Sequence, residues 1–198
     1  MQSLLTIPVP LVLASQSPRR RALMRQVGLE CHVVPSNVDE EAIHDLTLHP
    51  EHYVQQLALL KAQDVATQVI EDSIVIGADT TVVLNNTILN KPATPDEAFT
   101  MLRMLSNNTH SVFTGIAVVR GETHTTAVKE TRVTFRQLED DEIRAYIATG
   151  SPMDKAGSYG IQDDFGAVFV RHIEGCYYNI VGLPLELLYQ TLKEFVKS

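Results

Sequence analysis

The order of apolar runs in this chain is that of an α/β protein, in which short buried strands alternate with helices. Three observations carry that reading. An apolar run, Leu11–Ala14, passes through a polar turn into a helix over Pro18–Val27. A helical pattern over Pro50–Gln68 precedes a second buried run, Ile74–Ile76. Thr109–Val119 and His124–Arg136, rich in Val, Thr and Phe, flank Arg120–Gly121 as a long hairpin.

The first of these units is the most informative. Ser17 suits a helix N-cap, and Pro18 suits the first helical position, where its missing N–H costs nothing. Arg19, Arg20 and Arg21 then occupy the first turn. Free N–H groups, the positive end of the helix dipole and guanidinium groups at one point read as an anion site, most naturally for phosphate. Helical residues lie roughly 100° apart around the axis, so one or two arginines face a ligand and the rest are solvated. The plainer alternative is a strand followed by a capped basic helix.

Length and charge narrow the class. The 198 residues predict one domain, or one with a lobe, large enough for a substantial core. A formal charge of −8 argues against a binder of nucleic-acid polymers, so phosphate binding is a local patch in an acidic protein. Cys31 and Cys176 have neither metal-ligand spacing nor disulfide density, which suits a reducing cytosol. The apolar N-terminal stretch has no basic n-region and contains Pro8 and Pro10, so it reads as an extended lead into the first strand. No apolar run approaches bilayer length, which predicts a cytoplasmic protein with no membrane partner.

In order, Gly28 stops the first helix and Cys31–Pro35 forms a second strand. An acidic stretch, Asp39, Glu40 and Glu41, opens a polar loop through His49. Val54, Leu57, Ala58 and Val65 line the apolar face of the helix over Pro50–Gln68, and Lys61 falls in the same seam. A lysine there either snorkels out or meets a partner, a phosphate among the possibilities. In Ser73–Asp79 the Gly77–Ala78 pair lets the backbone approach a neighbour closely, and Asp79 and Thr80 stand at the strand's C-terminal end. Ligands of open α/β sheets bind beyond that end. Asp79 is thus a candidate metal ligand or base with Thr80 as hydroxyl partner; the alternative is an Asx-turn residue closing the strand.

Thr81–Leu84 and Thr87–Leu89 flank an Asn85–Asn86 hairpin turn, and Asn90–Lys91–Pro92 opens a loop before a helix from Thr94 or Pro95 to Leu105. Ser106–Asn108 turns the chain into the long hairpin. Leu138–Thr149 is an amphipathic helix stopped by Gly150. Ser151–Gly166 is polar and punctuated by Gly157, Gly160 and Gly166, which predicts a binding loop outside the core, with Asp154 and Lys155 side by side. Ala167–Ile173 reads as a strand, Gly175–Val181 brings the chain back, and a last helix over Leu185–Lys197 buries Leu187, Leu188, Leu192 and Phe195.

These residues carry a resemblance. SQSPRR (Ser15–Arg20), GADT (Gly77–Thr80), Lys91–Pro92, Thr114–Gly115, DKAGSYGIQ (Asp154–Gln162) and VGLPL (Val181–Leu185) stand in the order seen in the Maf family of septum-formation-inhibitor-like nucleotide pyrophosphatases. The likeness runs from about Leu11 to Leu192. It implies an elongated mixed sheet with flanking helices, similar to inosine triphosphate pyrophosphatases, commonly as a homodimer. It implies hydrolysis of a nucleoside triphosphate to the monophosphate and pyrophosphate with a divalent metal, Mg²⁺ or Mn²⁺.

By position, the resemblance makes Asp79 the proton acceptor and ties Arg19, Thr80 and Gln162 to base specificity. Ser15, Arg20, Glu40, Lys61, Lys91, Asp154 and Lys155 fall at the family's polar pocket positions, with Glu40, Asp79 and Asp154 able to hold the metal. DKAGSYGIQ resembles the branch acting on dTTP and UTP; a branch preferring 7-methyl-GTP differs at Lys155 and Tyr159–Gln162. Gln162 presents a donor and an acceptor that match the edge of uracil or thymine, or else it caps the glycine loop. The family usually has glycine after Gln162, where this chain has Asp163 and Asp164.

Two further classes make sequence demands of their own. A non-catalytic nucleotide sensor regulating cell division has no need of Asp79, which is present. A phosphomonoesterase with an aspartyl nucleophile needs an aspartate after the first strand, and SQSPRRR has none.

Overall fold

The computed structural model describes residues 4–40, 43, 48–69, 72–162 and 165–197. Glu41 of the acidic stretch and the Asp163–Asp164 departure lie outside the described residues. The chain divides into two compact units. One comprises Met1–Asp79, Thr114–Lys129 and Gly182–Ser198; the other comprises Thr80–Phe113 and Glu130–Val181.

The elements follow the expected alternation. β1 (Leu11–Ala14), α1 (Pro18–Gln26), β2 (His32–Val33) and α2 (Pro50–Ala66) lead into β3 (Ile74–Leu84) and β4 (Thr87–Leu89). After α3 (Pro95–Leu105) come β5 (Thr109–Arg120), β6 (Thr123–Phe135) and α4 (Asp140–Ala148). Two 3₁₀ turns, Ser151–Asp154 and Ala156–Ser158, precede α5 (Gly166–Phe169), β7 (Val170–Glu174), α6 (Tyr177–Val181) and α7 (Leu185–Phe195). The strands hydrogen-bond in the order β2-β1-β3-β5-β6-β7, with β4 also on β3. The sheet is mixed: β1 runs parallel to β2 and β3, whereas β4 on β3 and β7 on β6 are antiparallel.

In the first unit, residues that alternate along the strands face α2. Val12, Ala14, Val75, Ala117 and Val119 pack with Ala58, Ala62 and Val65 of that helix in one buried cluster. Two glycines bring α2 to backbone contact. A Cβ at Gly77 would lie 2.0 Å from the Ala58 carbonyl oxygen, and one at Gly115 would lie 2.4 Å from the backbone of Val54. The glycine in GADT is there for this approach and does not end the strand.

That accounts for the first correction. β3 runs without interruption through Asp79 and Thr80 to Leu84, so Asp79 stands within a strand, not at its end. What does end is the pairing with β1, whose last partners are Ala14 and Gly77. Beyond that point the chain of β1 turns away at Ser15 and leaves the edge of β3 to other groups.

In the second unit, α3 buries Ala98, Leu102 and Leu105, and α4 buries Ile143 and Tyr146. Glu139 and Glu142 form a capping box at the start of α4, and Glu142 takes a two-pronged hydrogen bond from Arg136 at 2.8 and 2.7 Å.

Three more expectations change here. The segment from Pro152 to Ile161 is largely buried, contrary to the reading of Ser151–Gly166 as a loop outside the core. Within it, Lys155 Nζ donates to Ser151 O (2.5 Å), Ser151 Oγ (3.2 Å) and Asp154 Oδ1 (2.8 Å). Its glycines mark close packing, since a Cβ on Gly157 (φ +67°) would press on Val82 at 2.9 Å. Ala167–Phe169 belongs to a helical turn because strand pairing starts only at Val170, opposite Phe135. In α7, Leu185, Leu188 and Leu192 are buried, whereas Leu187 and Phe195 are half-buried.

Candidate active site

The turn after β1 is closed by its own hydroxyls. Ser17 N–H donates to Ser15 Oγ at 3.1 Å, and Arg20 N–H donates to the N-cap Ser17 Oγ at 3.4 Å. With Pro18 lacking an N–H, the backbone donors expected to wait for an anion are partly occupied by serine oxygens. The side chain of Arg20 is anchored in the same unit. Its Nε donates to Gly182 O at 2.8 Å and its NH1 to Ser15 Oγ at 3.4 Å. Burial pulls the Arg20 pKa down, while the charges of Asp79 and Glu40 oppose that shift and Arg19 adds to it. Arg20 is thus oriented by VGLPL and SQSPRR together, with Arg19 half-buried beside it and Arg21 exposed.

Lys61 is the centre of the site. It is 7% exposed, and its ammonium lies 2.6 Å from Asp79 Oδ1 and 2.8 Å from Glu40 Oε1. It does not snorkel. The contact follows from packing: Gly77 meets Ala58, and three residues further along α2 and two further along β3 stand Lys61 and Asp79, on the same faces. Asp79 is itself 6% exposed, whereas Glu40 is reached from solvent. Among the described residues Arg19, Arg20 and Lys61 set positive charge against Asp79 and Glu40, an arrangement suited to a polyanion.

Tyr53 belongs here as well and was missed in the sequence. It is 4% exposed on α2, and its hydroxyl pKa is pushed up to about 12 by burial and then by Asp79 and Glu40. The available signal was its spacing, since Tyr53, Leu57 and Lys61 repeat at i, i+4 and i+8 on one helical face.

Two carboxylates converging on one cation fit a hard divalent ion, which typically takes one or two carboxylates and completes its shell with water and phosphate oxygens. Among the described residues no three His, Cys, Asp or Glu side chains gather as a metal-binding group. Within the second unit Asp154 pairs with Lys155.

The remaining predicted residues lie in the second unit. Thr80 is half-buried on the strand face opposite Asp79, Lys91 is exposed, and Gln162 is half-buried at the end of the DKAGSYGIQ segment. Among the described residues no helix is long and apolar enough to cross a membrane.

A mixed α/β sheet carrying an anchored arginine and a buried lysine between two carboxylates defines a protein built to handle anionic substrates. The sequence profile of the family described as Maf-like protein matches residues 10–195, and the chain belongs to that family. It is 47% identical over 185 residues to the "dTTP/UTP pyrophosphatase" of Thermoanaerobacter sp. (strain X514), covering 92% of this chain and 95% of the relative. To the protein of the same name from Geobacillus sp. (strain WCH70) it is 49% identical over 183 residues, covering 92% and 96%. A solved dITP/XTP pyrophosphatase of Mycobacterium abscessus overlaps 64% of this chain and 73% of its own at TM-score 0.37 and 12% identity.

Proposed function

We propose that the protein is a nucleoside triphosphate pyrophosphatase that hydrolyses dTTP and UTP to the monophosphate and pyrophosphate. The observation that carries this is the buried Lys61–Asp79 pair with Glu40 on its solvent side and Arg20 beside it, in a chain whose relatives bear the name dTTP/UTP pyrophosphatase. Displacement at the α-phosphorus needs the triphosphate charge neutralised and a water oriented. Arg19, Arg20 and Lys61 supply the positive charge, and Ser15 holds the Arg20 guanidinium in place. Asp79 orients the water and takes its proton. Glu40 and Asp79 would hold a divalent cation, Mg²⁺ or Mn²⁺, which would supply charge neutralisation of the phosphates and a lower pKa for water.

In the second unit, Thr80, Lys91 and Lys155 are assigned to substrate binding, and Asp154 keeps Lys155 in place. Gln162 reads the pyrimidine: its amide offers one donor and one acceptor to the N3–H and carbonyl of uracil or thymine. A site built on such bonds discriminates against cytosine, which lacks the N3–H. We place the protein in the cytoplasm as a homodimer, a state that light scattering of the purified protein tests directly.

The deciding experiment is product analysis with UTP, dTTP, CTP, GTP and 7-methyl-GTP in the presence of Mg²⁺ or Mn²⁺. Pyrophosphate with UMP or dTMP is expected. Release of inorganic phosphate marks a phosphomonoesterase, binding without turnover marks a sensor, and a preference for 7-methyl-GTP marks the other branch. Each of these three overturns the proposal.

A further inference from the structure

A buried polar pair in the second unit has no part in the chemistry above. His110 stands near the start of β5, and its Nε2 lies 2.8 Å from the hydroxyl of Tyr159 in the DKAGSYGIQ segment. The two residues are 2% and 5% exposed. Their rings meet edge-on at 5.4 Å between centroids, and both meet Phe135 in the same way, at 5.0 and 4.7 Å. Packing of that kind needs no polar atom. Nδ1 of His110 is buried without a hydrogen-bond partner among the described residues. Burial keeps the ring neutral, with its pKa lowered to about 4. A neutral imidazole has one N–H and one bare nitrogen, and leaving either unpaired in the interior is unfavourable. As core filling, this histidine is a worse choice than an apolar residue. Its side-chain hydrogen bond to Tyr159 is what distinguishes it.

That bond holds a segment with little regular structure. Ser158 adopts a left-handed conformation at φ +63°, Tyr159 is extended, and the chain then runs to Gln162 outside any helix or strand. Its neighbouring anchors are Gly157 N–H on Asn90 O at 3.3 Å and Gly160 N–H on the Tyr146 hydroxyl at 3.2 Å. Edge-on ring contacts tolerate sliding and rotation, whereas a hydrogen bond at this distance tolerates little. Tyr159 sits between Lys155 and Gln162.

We infer that His110 is a positioning residue whose hydrogen bond to Tyr159 sets the segment from Lys155 to Gln162, and through it the discrimination between pyrimidines. The second half of this rests on the assignment of Gln162 to the base.

Tyr159→Phe tests it, because it removes one oxygen and keeps the ring; His110→Gln keeps an amide, able to donate or accept, near the Nε2 position. In the full-length Tyr159→Phe protein, losing one hydrogen bond should raise KM for UTP about tenfold and cut the UTP-over-CTP preference about tenfold. The change in kcat should stay within about twofold, and amide exchange over residues 157–162 should quicken about tenfold. His110→Gln should keep KM within about threefold of wild type.

Faster exchange with unchanged KM and preference makes the pair a structural contact and overturns the inference. A raised KM with unchanged exchange puts the hydroxyl on the substrate itself, and overturns it too. Should Tyr159→Phe fail to fold, His110→Phe losing affinity while His110→Gln keeps it supports the inference, and equal behaviour of the two overturns it. A wild-type enzyme that does not distinguish UTP from CTP removes only the base reading, and KM and exchange still decide the positioning.

Discussion

Lys61 and Lys155 are buried to nearly the same degree, 7% and 8% exposed, yet the two ammonium groups are held in different ways. Lys61 points from the helix α2 at carboxylates on a strand and a loop, Asp79 and Glu40. Lys155 turns back on its own segment, onto the carbonyl and hydroxyl of Ser151 and the carboxylate of its neighbour Asp154. The first is a charge cluster assembled by packing, whose carboxylates can serve another cation. The second is preset by its own 3₁₀ turn for the substrate contact proposed above. Equal burial therefore does not mean an equal role; the origin of the partners separates the two.

The largest effect expected is at Asp79. Asp79→Asn keeps the shape of β3 and should lower kcat by roughly 10²–10⁴-fold, the range for a lost general base. Steady-state kinetics of a folded Asp79→Asn protein at near wild-type rate would reassign the base, with Glu40 the next choice in that unit.

Lys61→Met comes second. It removes charge aimed at the transition state and should cost about 2–4 kcal/mol in kcat/KM. It also leaves Asp79 buried and Glu40 facing it with no cation between them, so stability falls, by up to about 3 kcal/mol. Added Mg²⁺ should raise the Tm of Lys61→Met more than that of wild type, because the ion supplies the missing charge. Equal shifts in a thermal-melt titration would mean that the two carboxylates do not hold the ion.

A third test separates the units by pH. The folded-state pKa of His110 is about 4, against an ordinary 6.5 in the unfolded chain. As pH falls below 6.5 the unfolded chain takes up the proton first, so stability declines towards pH 4, by about 3 kcal/mol in all. Among the described residues the hydroxyl of Tyr159 is the side-chain partner of the ring, and it stays neutral throughout, since burial raises its pKa. His110→Gln should flatten this acid slope in chemical denaturation at stepped pH, and an unchanged slope would place the titration elsewhere.

The smallest effect belongs to Lys155→Met. Its partners are mostly backbone and hydroxyl, so losing the ammonium should cost about 1–2 kcal/mol, seen as a higher KM with kcat nearly unchanged. A loss as large as that of Lys61→Met would erase the distinction between the two lysines.

What could be read along the chain was short-range. Ser17 and Pro18 do open α1, Thr94 caps α3, and Asn85–Asn86 turns the β3–β4 hairpin with φ of 49° and 64°. Caps and turns are decided by a residue and its neighbours within about four positions, so composition suffices. The anomaly of Lys61 was also visible, because an ammonium in an apolar seam contradicts the period around it. Its partners were not visible. Asp79 is 18 residues away, and nothing local says that Gly77 admits the carbonyl of Ala58 so closely.

By itself, the sequence determined the α/β alternation, the helix ends, the family and the residue types available for chemistry. The tertiary structure alone decided that Asp79 lies inside a strand, that Tyr53 joins Asp79 and Glu40, and that a polar, glycine-rich segment lies buried. The reason is that a charge or a glycine records a need, for a counter-charge or for space, without recording which distant part of the chain will meet it.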